Sequence, residues 1–220
     1  MSRRVRGVIF DVDGTLVNSN DAHARAWVQA LAHFDIYVPY PVVRRLIGMG
    51  GDKLLPAIAD ISEDSPLGKK VTERRGAIFE QQFLPHLVAF PKARELLVKM
   101  RDVGLSLTIA SSAKPEELEP LLQLANVLDL IEGATSSGDA AHSKPDPDIV
   151  QAAMDRLDLD PARVLMIGDT PYDIEAAGRA GLKTIAFRCG GRSDRDLAQA
   201  VAIYDGPADL LAHFDSSPLV

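Results

Sequence analysis

The chain has 220 residues, 46% of them hydrophobic and 25% charged, enough to bury the core of one large domain or of one domain carrying an insertion. With 31 acidic against 24 basic side chains the formal net charge is −7, which argues against a basic footprint for nucleic acid or an anionic membrane. The single cysteine, Cys189, cannot form an internal disulfide and fits a reducing compartment, with the cytoplasm as the expected location.

Residues 1–10 include basic side chains but only the short apolar run Val8-Ile9-Phe10, too little for a signal-peptide core or a membrane span. Val5, Val8, Ile9, Phe10 and Val12 form the kind of apolar run shown by a parallel strand buried on both faces, and a turn follows at Gly14. Between residues 18 and 85 the spacing becomes helical, as in His23, Trp27, Ala30, Leu31 and Phe34, with no convincing strand. A helical insertion is therefore expected there, its edges near Val17 and Pro85.

Ala93, Leu96, Leu97 and Met100 repeat at helical spacing, Gly104 supplies a stop, and residues 105–110 read as the next strand. Leu118, Leu121, Leu122 and Ala125 mark another helix, followed by a weaker strand at 130–135 and a polar loop at 136–147. Ile149, Ala152, Ala153 and Leu157 predict a helix and residues 164–167 a strand. Ile174, Ala177 and Ala180 predict a last helix before the strand Lys183–Phe187, which Gly190-Gly191 stops. Such alternation implies an α/β fold, a doubly wound parallel sheet formed by residues 1–17 and 86–220, interrupted by 18–85.

Chemistry gathers at the carboxyl ends of these strands. Asp11 and Asp13, in Asp11-Val12-Asp13-Gly14-Thr15-Leu16, lie two apart and project to the same side, where open α/β sheets bind ligands. Each carboxylate raises the other's cost of ionisation, which a hard divalent cation with oxygen ligands offsets, and Mg²⁺ fits best. With a cation present Asp11 can attack phosphorus, while Asp13 protonates the leaving oxygen and later takes a proton from water. A plain surface turn uses the same residue types.

Gly168-Asp169-Thr170-Pro171-Tyr172-Asp173 follows the strand at 164–167 and opens a helix with Pro171 early. Asp169 and Asp173 can supply one direct metal ligand and one that bonds a coordinated water. Alternatively Asp169 caps the helix and Asp173 complements its dipole. Ser111, between a strand end and a helix opening near Pro115, is placed either to hold phosphoryl oxygens, together with nearby amides, or to cap. Lys144, in Ser143-Lys144-Pro145-Asp146-Pro147, is either a solvated loop lysine or the fixed cation that several carboxylates and a phosphate require.

In this order the motifs resemble the haloacid dehalogenase (HAD) superfamily over nearly the whole chain, with the insertion placed as in its phosphoglycolate phosphatase and β-phosphoglucomutase branch. The resemblance implies a Rossmann-like core with a mobile helical cap, and a Mg²⁺-dependent phosphatase acting on a small phosphorylated metabolite through an aspartyl-phosphate. By motif, Asp11 resembles the nucleophile and Asp13 the acid/base. Asp11, Asp13 through its carbonyl, and Asp169 resemble the Mg²⁺ ligands, with Asp173 supporting the metal shell. Ser111, Ser112 beside it, and Lys144 resemble the phosphate holders.

In the cap, Gly48-Met49-Gly50-Gly51-Asp52-Lys53 precedes the helical stretch at 54–59, where related enzymes place a specificity loop. Lys53 is accordingly the substrate-contact candidate, or else a helix-start lysine after a flexible linker. His23 resembles a cap-hinge histidine of the mutase branch, or packs as a partly buried histidine. Asn18 stands where many relatives carry Asp. A sugar-phosphate mutase would keep the same aspartates, although Thr15 and Gly168-Asp169 look more like the phosphatase pattern. A non-catalytic phosphometabolite sensor would most simply have lost Asp11 or Asp13. Asp13 also disfavours a haloacid dehalogenase and a phosphonoacetaldehyde hydrolase, the latter despite Lys53 as a Schiff-base candidate. The expected partner is a small phosphorylated metabolite, with no nucleic acid and no membrane, bound by a monomer or homodimer.

Overall fold

The uninterrupted apolar runs pair side by side as one parallel sheet in a computed structural model that describes residues 5–220. Residues 1–4, part of the segment read above for a leader, lie outside the described range. The strands are β1 (Gly7–Phe10), β2 (Ser106–Ala110), β3 (Ala134–Thr135), β4 (Val164–Gly168), β5 (Lys183–Phe187) and β6 (Ala202–Tyr204), in the order β3-β2-β1-β4-β5-β6. Every residue of β1 and β4 is buried, as expected of central strands covered on both faces. Phe10 stands opposite Ile109 on β2 and Ile167 on β4, so these three strands end together. The strand order reverses between β1 and β4, which is where sheets of this kind open a crevice at their carboxyl edge.

Contacts divide the chain into two compact units, one comprising the residues up to Asn18 with Val88–Val220, the other Ser19–Leu87. The second unit is helical: α1 (Asn20–Ala32), α2 (Tyr40–Leu46), α3 (Gly51–Ala59) and α4 (Pro66–Ile78), which runs on into a π-helical turn at Phe79–Phe83. Ser65 caps α4 by accepting from the Gly68 amide at 3.0 Å. Between α1 and the end of α4, His23 stacks flat on Phe79 with ring centroids 4.0 Å apart. The Arg75 guanidinium lies 5.2 Å from the centre of the Trp27 ring and 5.9 Å from that of Phe79.

In the sheet-bearing unit the flanking helices are α5 (Ala93–Asp102), α6 (Pro115–Ala125), α7 (Asp148–Leu157), α8 (Pro171–Arg179) and α9 (Pro207–Ala212). The helical spacing in α7 buries Ile149, Val150, Ala153, Met154 and Leu157 against Ile9, Ala110 and Met166 of the sheet. Asn126 and Asp158 end α6 and α7 in the left-handed region.

Two expectations need correction. The strand expected at 130–135 shrinks to the two residues of β3, because Leu130 closes a turn through its amide to the Val127 carbonyl. Beyond Gly191 the chain adds β6 and α9; three half-buried residues and a six-residue helix give no readable run or stripe. Among the described residues no helix is long and apolar enough to cross a membrane.

Candidate active site

Asp11 is the first residue beyond β1, and its amide donates to the Ile167 carbonyl at 2.9 Å, fixing it at the switch point. The chain then folds back on itself: the amides of Thr15, Leu16 and Val17 all donate to the Val12 carbonyl, with Gly14 at φ 79°. A side chain resists that conformation and glycine does not. The tight turn returns Thr15 over the carboxylate, its Oγ1 3.2 Å from Asp11 Oδ2 and 3.3 Å from Asp169 Oδ1.

Asp169 follows β4 and is fully buried. Thr170, rather than Asp169, is the N-cap of α8, and it forms a capping box with Asp173. Asp173 Oδ2 accepts from the Thr170 amide at 2.9 Å and the Thr170 hydroxyl at 2.6 Å, leaving Oδ1 to accept from Lys144 Nζ at 2.8 Å. Helix capping and site chemistry thus use different oxygens of one carboxylate. Gly168 is required by the same arrangement, since a Cβ there would stand 2.6 Å from both Cβ and Cγ of Asp173.

Lys144 reaches this cluster from the long loop between β3 and α7, and its ammonium also donates to Asp11 Oδ1 at 2.5 Å. It is completely buried, against the habit of lysines, which are rarely buried unless paired. Its loop is tied down on both sides of the lysine by a capping box between Ser136 and Asp139 and by Arg179 on Asp146 at 2.8 Å.

Oxygens of Asp11, Asp169 and Asp173 all lie within 4.8 Å of one another. Burial pushes the Asp11 carboxyl above its usual range; the Lys144 ammonium opposes that push, and the Asp173 and Asp13 carboxylates reinforce it. For Lys144 burial works to lower the pKa, but the charges of Asp11 and Asp173 outweigh it and hold the group above the usual lysine value.

Asp13 is half-buried and its carboxylate stands outside the three-aspartate cluster. Ser111 Oγ accepts from the Ala113 amide at 3.1 Å, and its own amide donates to the Thr135 carbonyl at 3.0 Å. It does not cap α6, whose N-cap is Lys114. Ser112 Oγ is buried without a hydrogen-bond partner among the described residues, a donor held ready inside the loop after β2.

Asp11, Lys144, Asp169 and Asp173 therefore meet, with Thr15 as a member that sequence reasoning had not placed among the contacts. Lys53 and His23 belong to the helical unit, Lys53 half-buried in the first turn of α3 and His23 buried on Phe79. Also unanticipated is the turn after β5. Cys189 Sγ donates to the Gly14 carbonyl at 3.3 Å. Burial, and next the Asp169 charge, push its thiol up to about 12, so that it remains protonated.

The family model of the haloacid dehalogenase-like hydrolases matches residues 8–187, which span Asp11, Asp13, Thr15, Ser111, Ser112, Lys144, Asp169 and Asp173. The chain belongs to that family. This HAD-like hydrolase is 31% identical to the Dickeya dadantii protein named "Probable phosphatase IndB", over 96% of this chain and 97% of the relative. It is 32% identical to a phosphoglycolate phosphatase of Aquifex aeolicus, over 82% and 83% of the two chains. The crystal structure of a hydrolase from Pseudomonas syringae superposes with a TM-score of 0.89 at 29% identity, over 96% of this chain and 98% of the other.

Proposed function

We propose that this HAD-like hydrolase is a Mg²⁺-dependent phosphatase of a small phosphorylated metabolite, phosphoglycolate or a sugar phosphate in type, working through a phosphorylated Asp11. The observation that carries this reading is the buried meeting of three carboxylates with one ammonium. The formal charge of that set is negative and its donors are oxygens, a combination that suits a hard divalent cation. Asp11, the Asp13 carbonyl and Asp169 would hold Mg²⁺, and Asp173 would support them. When bound, the ion supplies positive charge that keeps Asp11 ionised and balances the phosphoryl oxygens.

The remaining steps belong to the chain. Asp11 attacks phosphorus and the bond to the leaving oxygen breaks, while Asp13 gives that oxygen a proton. Asp13 then takes a proton from water, which attacks the phosphoryl group and restores the Asp11 carboxylate. Lys144, fixed by Asp173, keeps the nucleophile in place and lends charge to the phosphoryl group, and Ser111 and Ser112 hold its oxygens. The helical unit serves as the cap, with Lys53 recognising the substrate beyond its phosphate and His23, stacked on Phe79, serving at the cap hinge rather than on the substrate. A cytoplasmic location agrees with a single cysteine, Cys189, that has no second cysteine in the chain to pair with.

The test is phosphate release from a panel of small phosphomonoesters, with and without Mg²⁺, beside Asp11→Asn. Turnover should require the metal and fall on the order of a thousandfold or more in the variant, as when a nucleophile is removed. Isomerisation of a sugar phosphate in place of phosphate release would replace this reading with that of a mutase.

A further inference from the structure

The turn after β5 takes no part in the steps above, yet it touches both catalytic loops. Arg188 anchors it through ion pairs to Asp194 at 2.6 Å and Asp205 at 2.8 Å. Cys189 bonds to the carbonyl of Gly14, one residue beyond Asp13. Gly190, next in line, is buried and faces Asp169. A Cβ built on Gly190 would overlap the Asp169 carboxylate and stand 2.5 Å from the Asp169 Cβ, closer than unbonded carbons approach.

Backbone conformation does not explain the glycine. Gly191 has φ 89°, which itself favours glycine, whereas Gly190 is not among the positive-φ residues and its backbone would accept any side chain. What excludes a side chain at 190 is therefore Asp169. Rotating the Asp169 carboxylate would not relieve the contact, because Cβ stays where the backbone puts it. Rotation would also break the Oδ1 contact with Thr15.

We infer that Gly190 is a positioning residue for Asp169: the bare backbone of this turn is the wall that sets where the metal-binding carboxylate lies. The inference rests on the proposed role of Asp169 as a Mg²⁺ ligand and deepens it, because it makes metal affinity depend on a residue that supplies no ligand.

The experiment uses the full chain without substrate and reads Mg²⁺ binding by titration calorimetry, together with the thermal midpoint in chelator. Four variants are compared: Gly190→Ala, Asp169→Gly, the pair combined, and Gly178→Ala, an exposed glycine of α8 with nothing within 4 Å of an added Cβ. Gly190→Ala should weaken Mg²⁺ binding roughly 10–100-fold, the scale on which residues supporting a metal ligand act, while Gly178→Ala leaves it unchanged. Without metal, Gly190→Ala should lower the thermal midpoint in the parent chain but not beside Asp169→Gly, where the obstructing atoms are gone. If Gly190→Ala alone fails to fold, the double variant should fold.

Wild-type Mg²⁺ affinity in Gly190→Ala, with binding lost in Asp169→Gly, would overturn the inference and leave the metal reading standing. Unchanged binding in Asp169→Gly would overturn both. An equal loss of midpoint with and without the Asp169 side chain, or a double variant that does not fold, would make Gly190 a general packing position and overturn the inference alone.

Discussion

At the carboxyl edge of the sheet, three aspartates and a lysine are buried within reach of one another, each tied to a partner on a different element. In the helical unit the buried polar ring of His23 instead lies flat on Phe79, and the Arg75 charge rests on the faces of Phe79 and Trp27. One region concentrates like charge where desolvation is costly; the other spreads a cation over aromatic surface that stabilises it. The first is what a phosphoryl-transfer site requires. The second is what a small helical bundle requires to cohere. Substitutions in the two regions should consequently fail in different ways.

A large, metal-dependent effect on stability is expected from Lys144→Ala, which strands Asp11 and Asp173 without their common cation. Metal-free urea denaturation should show a loss of about 3–5 kcal/mol, the scale for breaking a buried ion pair by removing one partner. Added Mg²⁺ should recover part of it, because the ion supplies the missing positive charge. A loss that Mg²⁺ does not reduce would count against a cation site among these carboxylates.

Phe79→Ala probes the other region. Phe79 is fully buried under His23, and its truncation should cost roughly 3–5 kcal/mol by cavity formation and lost stacking. Trp27 is the chain's single tryptophan and lies in the helical unit, so its fluorescence reports this transition locally. A shift within about 0.5 kcal/mol, as at an unremarkable surface position, would show that the stack of His23 and Arg75 on Phe79 does not hold the unit together.

Lys53→Ala should have the smallest effect, and one confined to binding. Loss of one charge-assisted contact predicts a KM raised about tenfold with kcat and the thermal midpoint nearly unchanged. A lowered kcat at constant KM would move Lys53 from recognition into chemistry.

How much of this was legible in the sequence differs between the same regions. β1, β4 and β5 were readable because their apolar runs stop at or shortly before Asp or Gly, and Asp11 and Asp169 because they follow β1 and β4 directly, whereas Lys144 lies in the polar loop 136–147 and was legible only by its order among the other motifs. The contacts that organise them were not, since Thr15 meets Asp169 across 154 residues of chain and no local pattern reports such a pair. Thr170 takes the capping role because α8 starts at Pro171, directly after it, and Asp169, one residue further back, is left to face the cluster. Gly190-Gly191 was readable only as a strand stop, and the two glycines answer to different demands, one to a neighbouring carboxylate and one to its own φ. In the helical unit the spacing of His23, Trp27 and Leu31 marked a buried face, but spacing does not say that a histidine on that face stacks on a phenylalanine 56 positions away.

The central claim is that Asp11 carries the phosphoryl group. Acid quenching of the enzyme during turnover, followed by mass spectrometry of its peptides, tests this directly. The account predicts a phosphoryl adduct on the peptide that contains Asp11, absent from Asp11→Asn. Phosphate release at the parent rate from Asp11→Asn, or an adduct on another residue, would contradict it.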